Sequence, residues 1–310
     1  MRAALTALTD ELRRLKTAGV KTVAVSDESV ATLRRVIAAR NTGNQKPAFA
    51  EAAAGKPETA APKSYEPPAP MIRPTAAAVR ESSGAPIPAP PTVALPAGDK
   101  QTRWNALLAL VQNDPVCRAH VRPGKKIVLG VGNVDAKIMF VGEAPGAEEE
   151  IQGEPFVGPA GQLLTKMIQG MGLKRSDVYI GNIMNWRPEM PVSANGEQYG
   201  NRPPTEAELN YCLPYLRAQI EVVAPTLLVA LGKTAVEGLL GFGRFKTLGE
   251  VRGRWHEFSG CPLMITYHPS YILREPTNQK KRLIWDDLLK VMERAALPIS
   301  DKQRGFFLDK

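Results

Sequence analysis

The sequence predicts a three-layer α/β/α fold with a central four-stranded parallel sheet. Four short apolar runs, rich in β-branched residues and bounded by glycine, proline or polar residues, have the character of buried parallel strands; they span 136–142, 177–184, 226–232 and 262–268. Helical patterns alternate with them, at 160–172, 205–224, 233–241 and 280–296. This alternation is typical of βαβ units with right-handed crossovers, which place helices on both faces of a sheet.

Changes in composition divide the chain into four segments. Residues 47–100 are rich in proline and alanine, with 12 of the 27 prolines lying between Pro47 and Pro96. Such a segment cannot bury enough apolar surface to order itself, which predicts a disordered linker. Residues 1–46 show helical spacing of leucines and predict a small helical segment for docking or oligomerisation. The α/β domain is expected at 101–297, and 298–310 form a C-terminal tail.

Charge and cysteine content limit the class of protein. The formal net charge of +9 and the pI near 9.5 fit a polyanionic partner, although a solubilising surface fits them equally well. No stretch reaches the roughly 18 apolar residues of a membrane span, and the first residues lack the apolar core of a leader. Three scattered cysteines predict free thiols rather than a disulfide framework. These features predict a cytoplasmic protein.

Polar side chains lie at the carboxyl ends of the predicted parallel strands, where α/β sheets bind ligands. Glu143 follows the first strand, Asn182 lies in the second, and His268 ends the fourth. Each residue alone is more often structural, but a carboxylate, an amide and an imidazole at one edge together indicate a functional site. The run "LLVALGKT" does not form a phosphate-binding loop, because Leu227 stands where that motif needs its first glycine. This weakens a general nucleotide-binding function.

Four segments resemble, in order and spacing, the signature motifs of the uracil-DNA glycosylase superfamily, nearest the heat-stable type called family 4. They are "VGEAPGAEEEIQGEPFVGPAGQLL", "VYIGNIMNWRP", "NRPPTEAELNYCLPYL" and "TYHPSYILR". The resemblance runs from about Cys117 to Met292. It implies a monomeric hydrolase of base excision repair that acts on uracil-containing DNA and leaves an abasic site. A module that binds uracil-containing or abasic DNA without hydrolysis is the alternative.

The resemblance also implies roles for individual residues. Phe156 is expected to stack on the flipped uracil, Asn182 to pair with N3–H and O4, and His268 to donate to O2. Glu143 is expected to orient the attacking water. Backbone N–H groups of the first motif are expected to assist; they belong to Gly142 and Ala144.

A loop after His268 is expected to press into the duplex and contact phosphate. Its residues are Ser270, Tyr271, Ile272, Leu273 and Arg274. The three acids at 148–150 are expected to form a solvated face without a role.

Two departures from the family bear on cofactor and mechanism. Family 4 proteins usually bind a [4Fe–4S] cluster through four cysteines, of which this chain matches two, Cys117 and Cys212, whereas His120 and Trp186 occupy the other positions. This predicts that the cluster is lost and that there is no cofactor, with a retained cluster as the alternative. The inserted loop 189–200 contains no histidine, cysteine or lysine. This favours a turnover hydrolase over a relative whose loop histidine bonds covalently to the abasic sugar.

Overall fold

A computed structural model describes residues 87–192, 198 and 200–308. The predicted helical segment 1–46, and the part of the predicted linker up to residue 86, lie outside the described residues. Residues 87–99 contain no helix or strand. Ile87, Val93 and Leu95 nevertheless pack against the core. This stretch of the predicted linker therefore lies along the α/β domain.

The sheet of the described residues has six strands in the order β1-β3-β2-β4-β6-β5. The strands are β1 Val131–Gly132, β2 Ile138–Gly142, β3 Tyr179–Asn182, β4 Leu227–Leu231, β5 Trp255–Phe258 and β6 Cys261–Thr266. Neighbouring strands are parallel from β3 through β2 and β4 to β6, whereas β1 and β5 pair antiparallel at the two edges. The prediction of a four-stranded sheet is corrected to six strands, because it missed both edges.

The helices of the described residues follow the strands as the alternation predicts. They are α1 Lys100–Asn113, α2 Pro115–Ala119, α3 Ala147–Gln152, α4 Pro159–Gly170, α5 Glu206–Val223, α6 Lys233–Leu240, α7 Leu248–Val251, α8 Pro269–Arg274, α9 Asn278–Arg294 and α10 Asp301–Arg304, with a 3₁₀ turn at Arg175–Asp177. Among them, no helix combines the length and the apolar character needed to cross a membrane.

Two apolar layers bury both faces of the sheet. Alternate residues of β2 belong to different layers: Met139 and Val141 pack with residues of α1, α5 and α6, whereas Ile138 and Phe140 pack with residues of α4 and α9. All five residues of β2 are buried. This is the environment of a parallel strand with helices on both faces, and it explains why these strands read as continuous apolar runs.

Two loops at the carboxyl edge of the sheet run directly into helices that begin with proline. Pro159 starts α4 immediately after Gly158, and Pro269 starts α8 immediately after His268. Proline suits a first helical position because its missing N–H would have no partner there and its φ is already helical. Proline therefore defines the first residue of each helix, and Gly158 and His268 are the last loop residues before them.

Candidate active site

The side chains of Asn182 and Phe156 both pack against Gly142, the last residue of β2. Gly142 pairs with Asn182 in the parallel register of β2 and β3. A Cβ atom at Gly142 would lie 2.4 Å from Asn182 Oδ1 and 2.5 Å from Phe156 Cζ. Phe156 is buried and has a left-handed φ of 55°, a conformation that costs a non-glycine residue free energy. Only glycine at position 142 therefore leaves both side chains in place.

The side chain of Asn182 has an unused acceptor beside Gly142. The residue is 5% exposed, and its Oδ1 atom has no hydrogen-bond partner among the described residues. A buried acceptor without a partner costs about 1–3 kcal/mol. The Asn182 oxygen is therefore available to an N–H group of a ligand that enters beside Phe156.

His268 lies beside Phe156 and is held as a neutral imidazole. The centroids of the two rings are 5.6 Å apart. The His268 Nδ1 atom accepts the backbone N–H of Ser270 at 3.2 Å and lies 2.9 Å from the Ser270 hydroxyl. Because Nδ1 accepts, the hydrogen bonds assign the proton to Nε2. Burial and, to a smaller extent, the positive charge of Arg274 lower the pKa of His268 to about 4. The negative charge of Glu149 acts in the opposite direction. The ring is therefore neutral at pH 7, with an N–H to donate.

Glu143 follows Gly142, and the pKa of its carboxyl is shifted in opposite directions by burial and by neighbouring groups. Burial raises the pKa of Glu143, whereas the Thr234 hydroxyl and the positive charge of Arg274 lower it. The net pKa is above the ordinary value. Sequence reasoning treated Thr234 only as part of a helix start, because nothing in the sequence shows that α6 begins beside the first motif.

Glu149 joins the two loops that carry Gly142 and Phe156. Its carboxylate accepts the backbone N–H groups of Gly146 at 3.1 Å, Val157 at 3.0 Å and Gly158 at 2.9 Å. Two of these donors follow Phe156 directly. The Glu149 carboxylate therefore fixes the backbone on which the strained Phe156 depends, which sequence reasoning missed.

The expectation of a solvated acidic face at 148–150 is wrong for two of its three members. Glu148 is exposed, but Glu149 makes the backbone contacts above and Glu150 is 5% exposed. Glu150 pairs with the buried guanidinium of Arg187 at 2.9 Å and also contacts Arg122. A buried carboxylate is retained only with such partners, and no local pattern identifies them.

Comparison with known proteins agrees with this arrangement. A model of the uracil DNA glycosylase superfamily matches residues 129–289. A type-4 uracil-DNA glycosylase of Thermotoga maritima is 39% identical over 181 residues, which are 58% of this chain and 88% of that protein. The chain belongs to the uracil-DNA glycosylase superfamily. A type-4 uracil-DNA glycosylase of Archaeoglobus fulgidus is 40% identical over 155 residues, 48% of this chain and 73% of that protein. A type-5 uracil-DNA glycosylase of Pyrobaculum aerophilum is 31% identical over 181 residues, 53% and 73% of the two chains.

The glycosylase segment expected to contact DNA is a helix, α8, and not a loop. Leu273 is 46% exposed and Tyr271 stacks on Tyr267 with ring centroids 4.3 Å apart. Ile272 is 5% exposed and packs in the core, so the expectation that it contacts DNA is corrected. Ser270 contacts His268 as described above. Pro269 at the first helical position is the sequence signal that could have predicted this helix.

The positions that correspond to the family's cluster ligands form a packed aromatic and thiol cluster. Trp186 is fully buried and stacks on His120 with centroids 5.1 Å apart, and its indole N–H has no partner among the described residues. Asp114 accepts the hydroxyls of Tyr211 and Tyr215, each at 2.8 Å.

The two remaining thiols in this cluster lack the other ligands that a [4Fe–4S] cluster needs. A hydrogen bond with Cys212 is the largest effect raising the pKa of the Cys117 thiol, and burial adds to it. Within the part of the chain that the structure describes, no three candidate ligand side chains come together. The residues present therefore do not fit a [4Fe–4S] cluster.

Proposed function

We propose that this chain hydrolyses the N-glycosidic bond of uracil in DNA, releasing free uracil and leaving an abasic site for base excision repair. The single observation that carries the proposal is the unpaired, buried Asn182 oxygen beside the Phe156 ring and the neutral His268. The names of the type-4 relatives support the same activity. The proposed substrate is uracil-containing DNA.

Base choice is assigned to Asn182 and Phe156. A uracil flipped out of the duplex would stack on the Phe156 ring, and the absence of a side chain at Gly142 keeps Phe156 and Asn182 in position for it. The Asn182 amide can accept uracil N3–H and donate to O4. Cytosine reverses both demands, because its N3 is an acceptor and its exocyclic amino group is a donor. The pocket therefore selects uracil by hydrogen bonding.

Departure of the base is assigned to His268 and the first motif. When the bond between C1′ and N1 breaks, its electron pair passes to the uracil ring and negative charge grows at O2. The Nε2–H of His268 donates a hydrogen bond to that oxygen without transferring its proton, and backbone N–H groups of Gly142 and Ala144 assist. Donors held in place before the reaction are worth about 10²–10³ in rate each. The uracil anion takes its proton from solvent after release.

The attacking water is assigned to Glu143. An ionised carboxylate accepts a hydrogen bond from the water, whose oxygen forms the new bond to C1′ while its proton passes to Glu143. Burial disfavours the ionised form of Glu143, whereas the Thr234 hydroxyl and the charge of Arg274 favour it. Leu273, exposed on α8, is the candidate wedge that occupies the position of the flipped nucleotide.

No cofactor takes part in the proposed reaction, since the side chains around Trp186 do not fit a [4Fe–4S] cluster and no step requires one. We expect the chain to act as a monomer. A cytoplasmic location stays a prediction, supported by free thiols at Cys117, Cys212 and Cys261.

The test is incubation of the purified full-length chain with matched single- and double-stranded oligonucleotides that carry uracil, thymine or cytosine at one position. We expect alkali-labile abasic sites in the uracil oligonucleotides alone. Tight binding of the uracil oligonucleotides without strand scission under alkali would instead support the non-hydrolytic binding module.

A further inference from the structure

A second concave surface lies in the described part of the chain and has no role in the proposed reaction. It is a groove of about 720 Å³ between α1, the loop 121–131 and residues 152–154. Its floor includes Trp104 and Leu108, and four basic side chains line it: Arg118, Arg122, Lys125 and Lys126. We call this surface the basic groove.

One end of the basic groove lies near the carboxyl end of β3, which carries Asn182. Its loop is attached beyond the carboxyl end of β3, because the Val128 N–H donates to the Asn185 carbonyl at 2.8 Å and the Asn185 amide donates to the Val128 carbonyl at 3.2 Å. The Lys126 N–H also donates to the carbonyl of Glu150 in α3 at 2.7 Å. Glu154, at the other side of the groove, precedes Phe156 by two residues. The basic groove and the Phe156 ring therefore lie on one short chain segment, 152–156.

The charges in the basic groove are only partly neutralised. Glu154 is the one carboxylate among the residues that line it, against four cations. Behind the lining, Glu150 contacts Arg122 and lies 3.9 Å from Lys125, and it is shared with Arg187. Arg118 and Lys126 are exposed and form no ion pair with any residue that the structure describes. These two cations are therefore available to an anionic partner.

We propose that the basic groove binds the sugar–phosphate backbone of the uracil-containing strand beside the flipped nucleotide, with Arg118 and Lys126 contacting phosphates. This rests on the proposed function, which supplies the strand. Phosphates are held chiefly by lysine and arginine, and such contacts fix a protein's position without reading sequence. The partly exposed indole of Trp104 adds an aromatic surface beside the cations, the combination found in sites for unpaired nucleic acid. An acidic peptide would need the same cations but has no reason to lie beside the base pocket.

The test compares the full chain with R118Q, K126Q and the double variant. K302Q is the matched control, because Lys302 is an exposed lysine of α10 outside the groove. The probe is an oligonucleotide carrying 2′-fluoro-2′-deoxyuridine, which resists cleavage, and its affinity is measured between about 50 and 200 mM salt. Each single variant should reduce the slope of log affinity against log salt by about 1, and the double variant by about 2. K302Q should keep the wild-type slope.

Excision is measured separately so that the two proposals can fail independently. At saturating protein, the double variant should release uracil in a single turnover at the wild-type rate, since neither residue touches the base. A wild-type salt slope in the double variant would overturn the basic groove as a DNA site, even if uracil excision is normal. A reduced salt slope in the double variant, found together with no uracil excision by the wild-type chain, would support the basic groove and refute the glycosylase function.

Discussion

Replacing Asn182 by aspartate should abolish most uracil excision. Among the residues that the structure describes, the Asn182 oxygen is buried and unpaired. In the proposed complex, the Asn182 amide makes two contacts with uracil that an ionised carboxylate cannot both make. It loses the donor to O4 and repels that oxygen. Two buried polar groups without partners cost about 1–3 kcal/mol each, and their sum corresponds to a loss of rate between about 30-fold and about 10⁴-fold. Asn182→Ala should lose about 10²–10³, because the contacts are lost without repulsion.

The excision of cytosine should distinguish Asn182→Asp from Asn182→Ala. A carboxylate can accept the cytosine amino group, so Asn182→Asp should gain weak cytosine excision and Asn182→Ala should not. The assay is single-turnover cleavage of matched uracil and cytosine oligonucleotides. Asn185→Ala is the control: its buried amide bonds Val128, so its loss should lower stability by about 1–3 kcal/mol but keep the preference for uracil. Wild-type uracil rates in both Asn182 variants would refute the assignment.

Further predictions concern charge, loop geometry, domain limits and iron. Arg274→Gln should move the acid limb of the rate–pH profile to higher pH, because the Arg274 charge lowers the pKa of Glu143, whose ionised form is the proposed base. Glu149→Ala should reduce excision about 10²-fold by releasing the backbone beside the stacking ring, and Glu149→Gln should keep part of the rate through its remaining acceptor. Residues 101–310 should retain excision, and residues 87–310 should melt at a higher temperature because the added segment packs on the core. The purified chain should lack the brown absorbance of a [4Fe–4S] cluster.

Each of these predictions has a result that contradicts it. An unchanged or lowered acid limb would exclude the proposed effect of Arg274. Wild-type rates in Glu149→Ala would show that its backbone contacts do not position the stacking ring. A folded but inactive 101–310 would mean that residues before α1 belong to the site. An anaerobic preparation with about four irons per chain would show that the cluster is retained, with His120 as the first ligand to test.

The parallel strands could be predicted because each is a local apolar run that ends at glycine or a polar residue. The edge strands could not. β1 has two residues, and in β5 only Phe258 is buried, so neither shows the pattern of a buried strand. Edge strands take their pairing from the neighbour, here β3 and β6, and not from their own composition.

The candidate site was predictable where residues follow strands, and less so where it depends on contacts between loops. Gly142 and Asn182 end paired strands, so topology brings them together. Glu149 meets the N–H of Val157 eight positions later only because the chain folds back over α3. Ile272 packs in the core because α8 is helical and places it on the buried face. A segment interpreted as a loop has no helical face to which Ile272 could have been assigned.

Uracil released per protein molecule, together with the intact mass of the protein, tests most directly whether this chain is a turnover hydrolase. The full-length chain is mixed with excess uracil-containing oligonucleotide, and free uracil is counted over time. We expect many uracils per chain and an unchanged protein mass. A single uracil per chain with a protein mass increased by bound DNA, or DNA binding without any free uracil, would contradict hydrolysis at this site.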